Sequence, residues 1–556
     1  MSTSFLNALD LPVTIKQRIN TASDEKPNEK GPFVLYLPTV VLRKKHNPAL
    51  ALATRIANHL QIPLLIVAVV LDDAHLPQAN PKPVAFTARK VAFTLEAIQQ
   101  AAQEWEAMGA GVAIRVHGPG CRTPHHLTLA RTAAVVVLDE PFVHPYLKLT
   151  QSVEQCCRSA KVPAFRVDGS TLVPPISKLT RNQNGSYKGV PHKAWEWLKL
   201  TGDMRLLQVN GVVNNGHLDA PAVLVKLEPN FFQTTANTSI TASLPVDWLK
   251  SGAPCPGMRP WTVTELKSIS NLKEWTMTCL PSVDTTVPPC QQTHGSSRSG
   301  MQRWARFRSN GLHSYERTRN NVKTPHAVSR MSCYLNLGVV SVFTLVNDTW
   351  QSKAGGQRKY EDEIIKWREM AYAHAFAYPE YYNRDLAVPA WARKYLIQCT
   401  HGGQPMLMDQ LETGTTPDAT WNAMQKYLVA TGELHNNARM TWGKTMVHWQ
   451  KTGMKLNELL EQLCYINDRY ALDGLAPPSY AGLLWCLGWC DKPDSSGHLS
   501  EKWASAYRTG PAGFVQATVA LLHSQQPSIG AMFAQPITKK QKKDPELGEI
   551  KENFYI

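Results

Sequence analysis

Short apolar runs that alternate with helical patterns constrain the fold of the first third of the chain more than any other feature. Between residues 33 and 170, runs rich in Val and Ile recur as "GPFVLYLP", "IPLLIVAVVLDD", "GVAIRVHG", "AAVVVLDE" and "VPAFRVDG". Patterns typical of amphipathic helices, such as "NPALALATRIANHL" and "RKVAFTLEAIQQAAQEWEAMG", lie between them. Buried strands that alternate with helices predict an α/β domain with a parallel, doubly wound sheet.

The rest of the chain divides by composition. Residues 1–32 are polar, which predicts a flexible extension. The composition of residues 171–312 predicts an interdomain linker region with loops. Within it, "SVDTTVPPCQQTHGSSRSG" is predicted to be an exposed segment. From 313 to 535 apolar residues recur at spacings of three and four, which predicts an all-α domain. Residues 536–556 form a charged tail, whose "KKQKK" fits a nuclear signal or, more commonly, a solvated tail.

Composition narrows the classes of function. A chain of 556 residues is too long for one core, and its net charge of +15 favours a polyanion such as nucleic acid, although ordinary solubility charge explains it equally well. The absence of a long apolar run and of a secretory signal predicts an intracellular protein without a membrane partner. The expected compartment is the nucleus or chloroplast if the source is a eukaryote and the cytoplasm if it is a bacterium. The eleven cysteines include no CxxC pair, so we expect free thiols and no metal site.

Three tryptophans raise a question that burial alone does not answer. Trp442 and Trp449 are seven residues apart in "HNNARMTWGKTMVHW", so they share one helix face, and Trp421 opens the preceding helix. Two antiparallel helices would bring the three indoles together. One interpretation is purely structural, in which the three indoles are aromatic side chains of the core. The other is functional, in which the neighbouring oxidisable rings pass an electron from the surface to a buried acceptor.

A carboxylate and two further tryptophans form a second candidate group. Glu363 and Trp367 are four residues apart in "EDEIIKWREM" and share a helix face. A carboxylate beside a flat ring suits a heterocycle that offers N–H donors and a stacking surface. Trp485 in "YAGLLWCLGW" is a second such ring. The alternative is a surface glutamate beside core tryptophans.

Opposite charges in apolar helical context form a third group. Arg439 is flanked by Ala438 and Met440, and a buried arginine needs a partner, for which Asp473 is a candidate. Asn467 in "YINDRY" carries an amide that can donate or accept a hydrogen bond. Such an amide suits a ring nitrogen whose protonation changes.

These segments together resemble one family. "EIIKWREMA", "LETGTTPDATWNAMQKYLVATGELHNNARMTWGKTMVHW", "YINDRYALDG" and "YAGLLW" have the order and spacing of the photolyase–cryptochrome flavoproteins over residues 360–490. They are most similar to class II cyclobutane pyrimidine dimer (CPD) photolyases. "NPALALATRIANHLQIPLLIVAVVLD" and "VDGSTLVPP" resemble the same family more weakly. The resemblance implies an antenna-type α/β domain followed by a helical, FAD-binding catalytic domain.

The resemblance implies that FAD binds in a U-shape in the helical domain. The residues from Ser329 to Ser332 match the turn that binds the pyrophosphate in this family. Arg439 and Asp473 match the ion pair beside the flavin ring, and Asn467 matches the residue that faces N5 of the flavin. Asn436 stands where class II enzymes usually have glycine. The matched cofactor-binding positions are Tyr315, Ser329, Met331, Ser332, Asn436, Arg439, Asn467 and Asp473.

For the reaction, the resemblance implies a lesion pocket beside the flavin. Two tryptophans would clamp a flipped-out thymine dimer, and a glutamate would hydrogen-bond its bases. The matched catalytic positions are Glu363, Trp367, Met440, Trp485 and Asn467, and the matched electron-transfer chain, outward from the flavin, is Trp442, Trp421 and Trp449. The implied function is that of a deoxyribodipyrimidine photo-lyase, a monomeric light-dependent carbon-carbon lyase that repairs pyrimidine dimers in DNA.

Two alternatives stand beside repair. A cryptochrome would bind the same flavin as a blue-light sensor without repair, and a (6–4) photolyase would need histidines where this chain has Asn436 and Met440. Two stretches depart from the family pattern. "GLAPPSY" stands where class II enzymes usually have "GRDPNGY", so Leu475 and Ala476 replace a charged pair, and the flavin loop reads "AVSRMSCYLNLG" in place of a loop like "SNLSPYLHFG". The sequence leaves open whether the α/β domain holds a second antenna chromophore, a folate or a deazaflavin, and whether single- or double-stranded DNA is preferred.

Overall fold

The structure, a computed structural model, has an α/β domain followed by a helical domain. The residues that it describes are 2–71, 86–116, 124–200 without 185 and 189, 213–214, 217–218, 260–322 without 281–282, 327–379 and 387–499. Most of the predicted linker region and the predicted charged tail at 536–556 therefore lie outside the described residues.

A six-stranded sheet forms the centre of the first domain. Its strands, in spatial order, are β1 (Ile19–Ser23), β6 (Ala164–Val167), β5 (Val135–Asp139), β2 (Val34–Leu37), β3 (Leu64–Val70) and β4 (Gly111–Val116). All neighbours pair in parallel except β1, which runs antiparallel to β6. The strand order reverses between β2 and β5, so the sheet is doubly wound as predicted.

The apolar runs become strands because both faces of the sheet are covered. Every residue of β2, β3 and β5 is buried, which explains why these runs lack the polar alternation of a half-exposed strand. The helices of this domain are α1 (Ser2–Ala8), α2 (Val13–Lys16), α3 (Pro48–Leu60), α4 (Ala88–Ala107), α5 (His125–Thr132) and α6 (Tyr146–Ala160). The predicted α/β fold with a doubly wound, mostly parallel sheet is confirmed.

The predicted flexible extension at 1–32 is wrong for its described part. Residues 19–23 form the edge strand β1, and the side chains of Leu9, Leu11 and Ile15 are buried in the core. The segment is polar overall, but Ile15 on α2 and Leu9 and Leu11 between α1 and α2 are apolar and enter the core. The sequence pattern missed β1, because nothing in a strand of five residues specifies its antiparallel pairing with the distant β6.

The helical domain begins earlier than predicted, at residue 297 rather than 313. Its elements are α10 (Ser297–Asn310), α11 (Tyr315–Thr318), α12 (Ser332–Asn336), α13 (Val342–Ser352), α14 (Gln357–Glu361), a π-helix (Asp362–Trp367), α15 (Arg368–Ala377), α16 (Ala390–Gln398), α17 (Met408–Thr413), α18 (Ala419–Thr431), α19 (Asn436–Gln450), α20 (Leu456–Tyr470) and α21 (Pro477–Cys486). Between the domains lie β7 (Thr180–Arg181), β8 (Tyr187–Lys188), α7 (Ala194–Leu200), β9 (Val213–Asn214), β10 (His217–Leu218), α8 (Val263–Ser268) and α9 (Leu272–Cys279).

The segment that the sequence marks as an exposed linker is instead part of the interdomain interface. Val283, Val287 and Cys290 are buried, and the Arg89 backbone N–H donates to the Val287 carbonyl at 3.2 Å. Its Pro, Ser and Gly content therefore reflects an irregular packed chain rather than a solvated one.

At the interface between the two domains, cationic side chains of the α/β domain donate hydrogen bonds to backbone carbonyls of the helical domain. The Arg89 guanidinium, at the start of α4, donates to the Tyr470 carbonyl at the end of α20 (2.8 Å), and Lys90 Nζ donates to the Ala471 carbonyl (2.8 Å). Gly338, with φ +62°, packs so closely on the chain after β2 that a Cβ there would lie 2.1 Å from the Val40 carbonyl oxygen. Only glycine fits both this conformation and this contact.

No helix in the described part of the chain is long and apolar enough to cross a membrane. Within the same residues, no group of three or more His, Cys, Asp or Glu side chains is arranged to hold a metal ion.

Candidate functional site

One continuous cleft in the helical domain contains most of the predicted site residues. It has two parts that share a wall including Tyr315, Met331 and Met440. The first part, the charged chamber, has a volume of about 1350 Å³ that includes its open mouth. It is also lined by Arg330, Glu433, Arg439, Asp473 and Ser479. The second, the tryptophan chamber, is also lined by Lys359, Trp367, Trp485 and Trp489.

The Arg439–Asp473 ion pair forms in the charged chamber. Arg439 Nη1 and Nη2 donate to Asp473 Oδ2 and Oδ1 at 3.0 and 2.8 Å, a bidentate geometry. Helix α19 carries the arginine, and the turn after α20 carries the aspartate, whose backbone carbonyl accepts from Asn336 Nδ2 at 2.9 Å. Two charges held so rigidly on a chamber wall can orient a polar ring system.

The turn at residues 329–332 is held in an unusual backbone conformation. Arg330 has φ +56°, in the left-handed region, and its Nε donates to Glu433 Oε2 at 2.8 Å. Arg303 Nη1 donates to Glu433 Oε1 at 2.9 Å and also to the Arg330 carbonyl. Arg303, Arg330 and Glu433 together carry one net positive charge. The serines at 329 and 332 therefore lie on a rigid, cationic turn that suits an anion such as a pyrophosphate.

We expect Glu433→Gln to destabilise the protein by about 3 kcal/mol at pH 7 and by much less at pH 3. Burial opposes ionisation of this carboxyl, but the charges and hydrogen bonds of Arg303 and Arg330 outweigh it and lower its pKa to about 2. A carboxyl whose pKa is lowered on folding stabilises the protein above its unfolded pKa of about 4.5, and that stabilisation is lost as the pH falls toward 2.

Urea unfolding of the wild type and the variant at several pH values measures this difference. A Glu412→Gln variant serves as the control, because Glu412 pairs with Arg469 at a more exposed site. A wild-type advantage that is the same at pH 7 and pH 3 would contradict the assignment.

Glu363 and Trp367 lie on a π-helix rather than on the α-helix that their spacing predicts. A single π-helical turn is often found at functional sites. Glu363 Oε1 lies 2.7 Å from Arg319 Nη2 and 2.9 Å from Lys359 Nζ, so two cations hold it at the junction of the chambers. The sequence reasoning missed both cations. Arg319, four residues after Tyr315 in "YERTRNN", was the available signal.

The two tryptophans predicted to clamp a base contact each other directly. The ring centroids of Trp367 and Trp485 are 4.6 Å apart with an interplanar angle of 53°. A base stacked between two rings needs them roughly 7 Å apart, twice a van der Waals contact. In this arrangement the pair forms one aromatic wall, which Trp489, also missed by the sequence reasoning, extends along the same chamber.

The three indoles of the predicted electron-transfer chain are in contact. Trp421 stacks on Trp442 with centroids 6.0 Å apart and planes 9° apart, and packs edge-on against Trp449 at 5.3 Å. Trp442 and Trp421 are fully buried, whereas Trp449 is partly exposed. Trp442 Nε1 donates to Gln425 Oε1, and Trp421 Nε1 donates to the Trp442 carbonyl. The series therefore runs from the interior to the surface in the predicted order.

Asn467 does not line either chamber. Its side chain is buried behind Ser479, to whose Oγ the Asn467 amide donates at 2.9 Å, and Ser479 is the residue on the chamber wall. Tyr315, Ser329, Met331, Ser332, Asn436 and Met440 all line the cleft. Among the predicted cofactor-binding residues, Asn467 is the one that the structure sets apart from the rest.

The comparisons with known proteins agree with this architecture. The family profile described as DNA photolyase matches residues 34–205. A deoxyribodipyrimidine photo-lyase of Methanothermobacter thermautotrophicus is 24% identical over 485 residues, which are 86% of this chain and 91% of that protein. The chain is therefore similar to the photolyase/cryptochrome family, over its α/β domain by the family profile and over most of its length by this relative.

Two solved structures show the same fold. A cryptochrome from Synechocystis sp. PCC6803 superposes with a TM-score of 0.59 at 14% identity, covering 90% of this chain and 91% of that one. An archaeal photolyase from Sulfolobus tokodaii, solved with two FAD molecules, superposes with a TM-score of 0.55 at 12% identity, covering 90% and 92%. The fold thus occurs in both a repair enzyme and a cryptochrome, so the function has to be argued from the site.

FAD, the flavin of this family, fits the residues of the charged chamber. Hydroxyls and a cationic turn at 329–332 suit the pyrophosphate, and the Arg439–Asp473 pair suits a ring edge with both donors and acceptors.

Proposed function

We propose that this protein is a light-driven DNA repair enzyme that splits cyclobutane pyrimidine dimers, as the class II photolyases it resembles do. The observation that carries the proposal is the junction of the two chambers. There the Glu363 cluster and the Trp367–Trp485 wall lie beside the chamber that suits FAD. The name of the Methanothermobacter relative, deoxyribodipyrimidine photo-lyase, supports the same activity.

FAD held beside Ser329, Ser332 and the Arg439–Asp473 pair would, when reduced and excited by light, supply the electron that ring splitting requires, with no net redox change. The residues of the chain do the rest. Trp367 and Trp485 offer an aromatic wall against which the two linked pyrimidines of an extruded dimer can stack, and a dimer costs less to extrude because it stacks poorly in the duplex. Met440, on the shared wall, provides an apolar contact for both chambers.

The Glu363 cluster is suited to bases that become electron-rich. Glu363, Arg319 and Lys359 carry one net positive charge at the junction of the chambers. The carboxylate can accept from the N–H groups of the two pyrimidines, while the cations attract negative charge that develops on the dimer. Sequence reasoning assigned only the carboxylate to this role.

The stacked indoles suggest how FAD reaches its reduced form. Trp442, Trp421 and Trp449 form an unbroken series from the core to the surface, and indole is the most readily oxidised of the common aromatic side chains. We propose that these rings carry an electron inward from a reductant in solution.

The second candidate function is a blue-light photoreceptor without repair activity. The fold that it shares with the Synechocystis cryptochrome favours this function. The tryptophan wall and the Glu363 cluster have no evident use in a sensor, so we place repair first.

A second chromophore in the α/β domain is a separate proposal, supported by the Sulfolobus structure with two FAD molecules. Open α/β sheets usually bind ligands where the strand order reverses. Here the backbone N–H groups of Thr39, Val40 and Val41 at that position donate to Asp139 Oδ2 at 2.7 to 3.0 Å. An antenna chromophore would therefore need other groups than these.

A light-dependent repair assay tests the proposed function. We expect the purified full chain to be yellow from bound FAD and, after chemical reduction, to restore dimer-containing oligonucleotides under blue light but not in the dark. FAD binding without repair or lesion preference would replace the enzyme by the sensor. A protein that binds no FAD would contradict both.

A further inference from the structure

The amide of Asn467 has only one orientation that its neighbours allow. Its Nδ2 donates to Asp468 Oδ1 at 3.1 Å and to Ser479 Oγ at 2.9 Å. A carboxylate only accepts hydrogen bonds, so the nitrogen end of the amide has to face Asp468. Asp468 is held in turn by the Leu475 backbone N–H (2.9 Å) and by the Tyr480 hydroxyl (2.8 Å). Both amide hydrogens of Asn467 are therefore engaged inside the protein.

Three donors make the Asp468 carboxyl an acceptor. The Asn467 amide, the Leu475 backbone N–H and the Tyr480 hydroxyl all donate to its oxygens. Burial raises the pKa of this carboxyl, and the charge of Lys90, from the other domain, opposes that rise. Lys90 Nζ itself donates to the Ala471 carbonyl and lies against the turn at Gly474.

The Ser479 hydroxyl is consequently polarised toward the charged chamber. A serine hydroxyl has one hydrogen to donate and two lone pairs to accept with. One lone pair accepts from Asn467, and the hydroxyl donates no hydrogen bond to another group in the described part of the chain. Since Ser479 lines the chamber, its hydrogen and its second lone pair are both available to a molecule bound there.

This hydroxyl occurs in one of the two stretches where the chain departs from the pattern it resembles. In "GLAPPSY", Ser479 takes the position that glycine has in "GRDPNGY". A glycine there would leave the Asn467 amide facing the chamber directly. In this chain the serine side chain lies between Asn467 and the chamber instead.

We propose that Ser479 contacts the flavin ring system through its hydroxyl and that Asn467 is a positioning residue that acts through Ser479. This inference rests on the proposed function, in that FAD occupies the charged chamber. Because the hydroxyl can donate to an unprotonated ring nitrogen and accept from a protonated one, it suits both oxidation states of the cofactor.

FAD affinity and the midpoint potential of bound FAD, measured on the full chain, test the proposal. We expect Ser479→Ala to weaken FAD binding about 3- to 10-fold, the effect of one hydrogen bond, and to shift the midpoint potential. Ser479→Thr should return both values toward the wild type. The matched control is Ser352→Ala, because Ser352 Oγ also makes local hydrogen bonds in the helical domain but lies outside both chambers.

A double-mutant comparison separates positioning from direct contact. If Asn467 acts through Ser479, Asn467→Ala should change the midpoint potential in the wild type and much less in the Ser479→Ala background. If the two changes add, Asn467 acts independently and its positioning role is wrong. If Ser479→Ala does not fold, Ser479→Gly takes its place.

Each outcome decides one of the two proposals. A Ser479→Ala variant that matches Ser352→Ala in FAD affinity and midpoint potential overturns the inference and leaves the proposed function intact. A wild-type chain that binds no FAD overturns the proposed function itself.

Discussion

Replacing Trp442 by phenylalanine should reduce photoreduction of bound FAD to below about a tenth of the wild-type rate, while chemically reduced enzyme still repairs dimers. Trp442 is the innermost ring of the stacked series, and phenylalanine is much harder to oxidise than indole. The substitution keeps a ring in the core, so we expect only a small loss of stability. Illumination of oxidised protein with an external reductant, followed by absorption spectroscopy, measures the rate.

The control is Trp105→Phe, because Trp105 is fully buried and its Nε1 also donates a hydrogen bond, here to the Arg43 carbonyl, but it lies on α4 in the α/β domain. This variant should photoreduce at the wild-type rate. A Trp442→Phe variant that loses repair by chemically reduced enzyme to the same extent as photoreduction would show that Trp442 supports the lesion site rather than electron transfer.

Substitutions at the tryptophan wall and at the glutamate should separate lesion binding from ring splitting. Trp485→Ala should weaken binding to dimer-containing DNA by about 1–3 kcal/mol, the contribution of one base–aromatic stack, and leave photoreduction unchanged. Glu363→Gln should retain most of the affinity but lower the repair yield per absorbed photon by about tenfold, since a charge-assisted hydrogen bond contributes about 1.5–3 kcal/mol. Affinity for lesion and undamaged DNA, measured alongside the repair yield, distinguishes the two effects.

Trp195→Ala is the matched control for the wall, because Trp195 on α7 is 51% exposed and lines neither chamber. It should not change lesion preference. If Trp485→Ala and Trp195→Ala weaken binding equally, the Trp367–Trp485 wall has no special role in recognition. A cryptochrome would show no lesion preference in any of these proteins.

Local periodicity predicted the secondary structure well. Strands β2 to β6 appear where the apolar runs occur, and α18, α19 and α20 appear where apolar residues recur at helical spacing. The prediction of these elements succeeds because the pattern of apolar residues along a short segment shows whether the element is buried on two faces or along one stripe. It failed at β1, four of whose residues pair antiparallel with the distant β6, since nothing local specifies that partner.

Parts of the candidate site were also visible in the sequence. The spacing of Trp442 and Trp449, with Trp421 on the helix before, predicted three indoles in contact, and the structure brings them together. The need of a buried arginine for a counter-ion predicted the Arg439–Asp473 pair, which forms with bidentate geometry. Both features depend on two neighbouring helices and a short turn, so few alternative arrangements exist.

Only the tertiary structure decided the rest. Glu433 pairs with Arg303, 130 residues away, and Asn467 lies behind Ser479 rather than on the chamber wall. Residue type and spacing predict which side chains need a partner, because burying an unpaired charge or amide is costly wherever it occurs. Which partner satisfies that need depends on how helices distant in sequence pack. The sequence by itself therefore determined the elements, the family resemblance and the stacked indoles, and helix packing decided which polar groups face the cofactor.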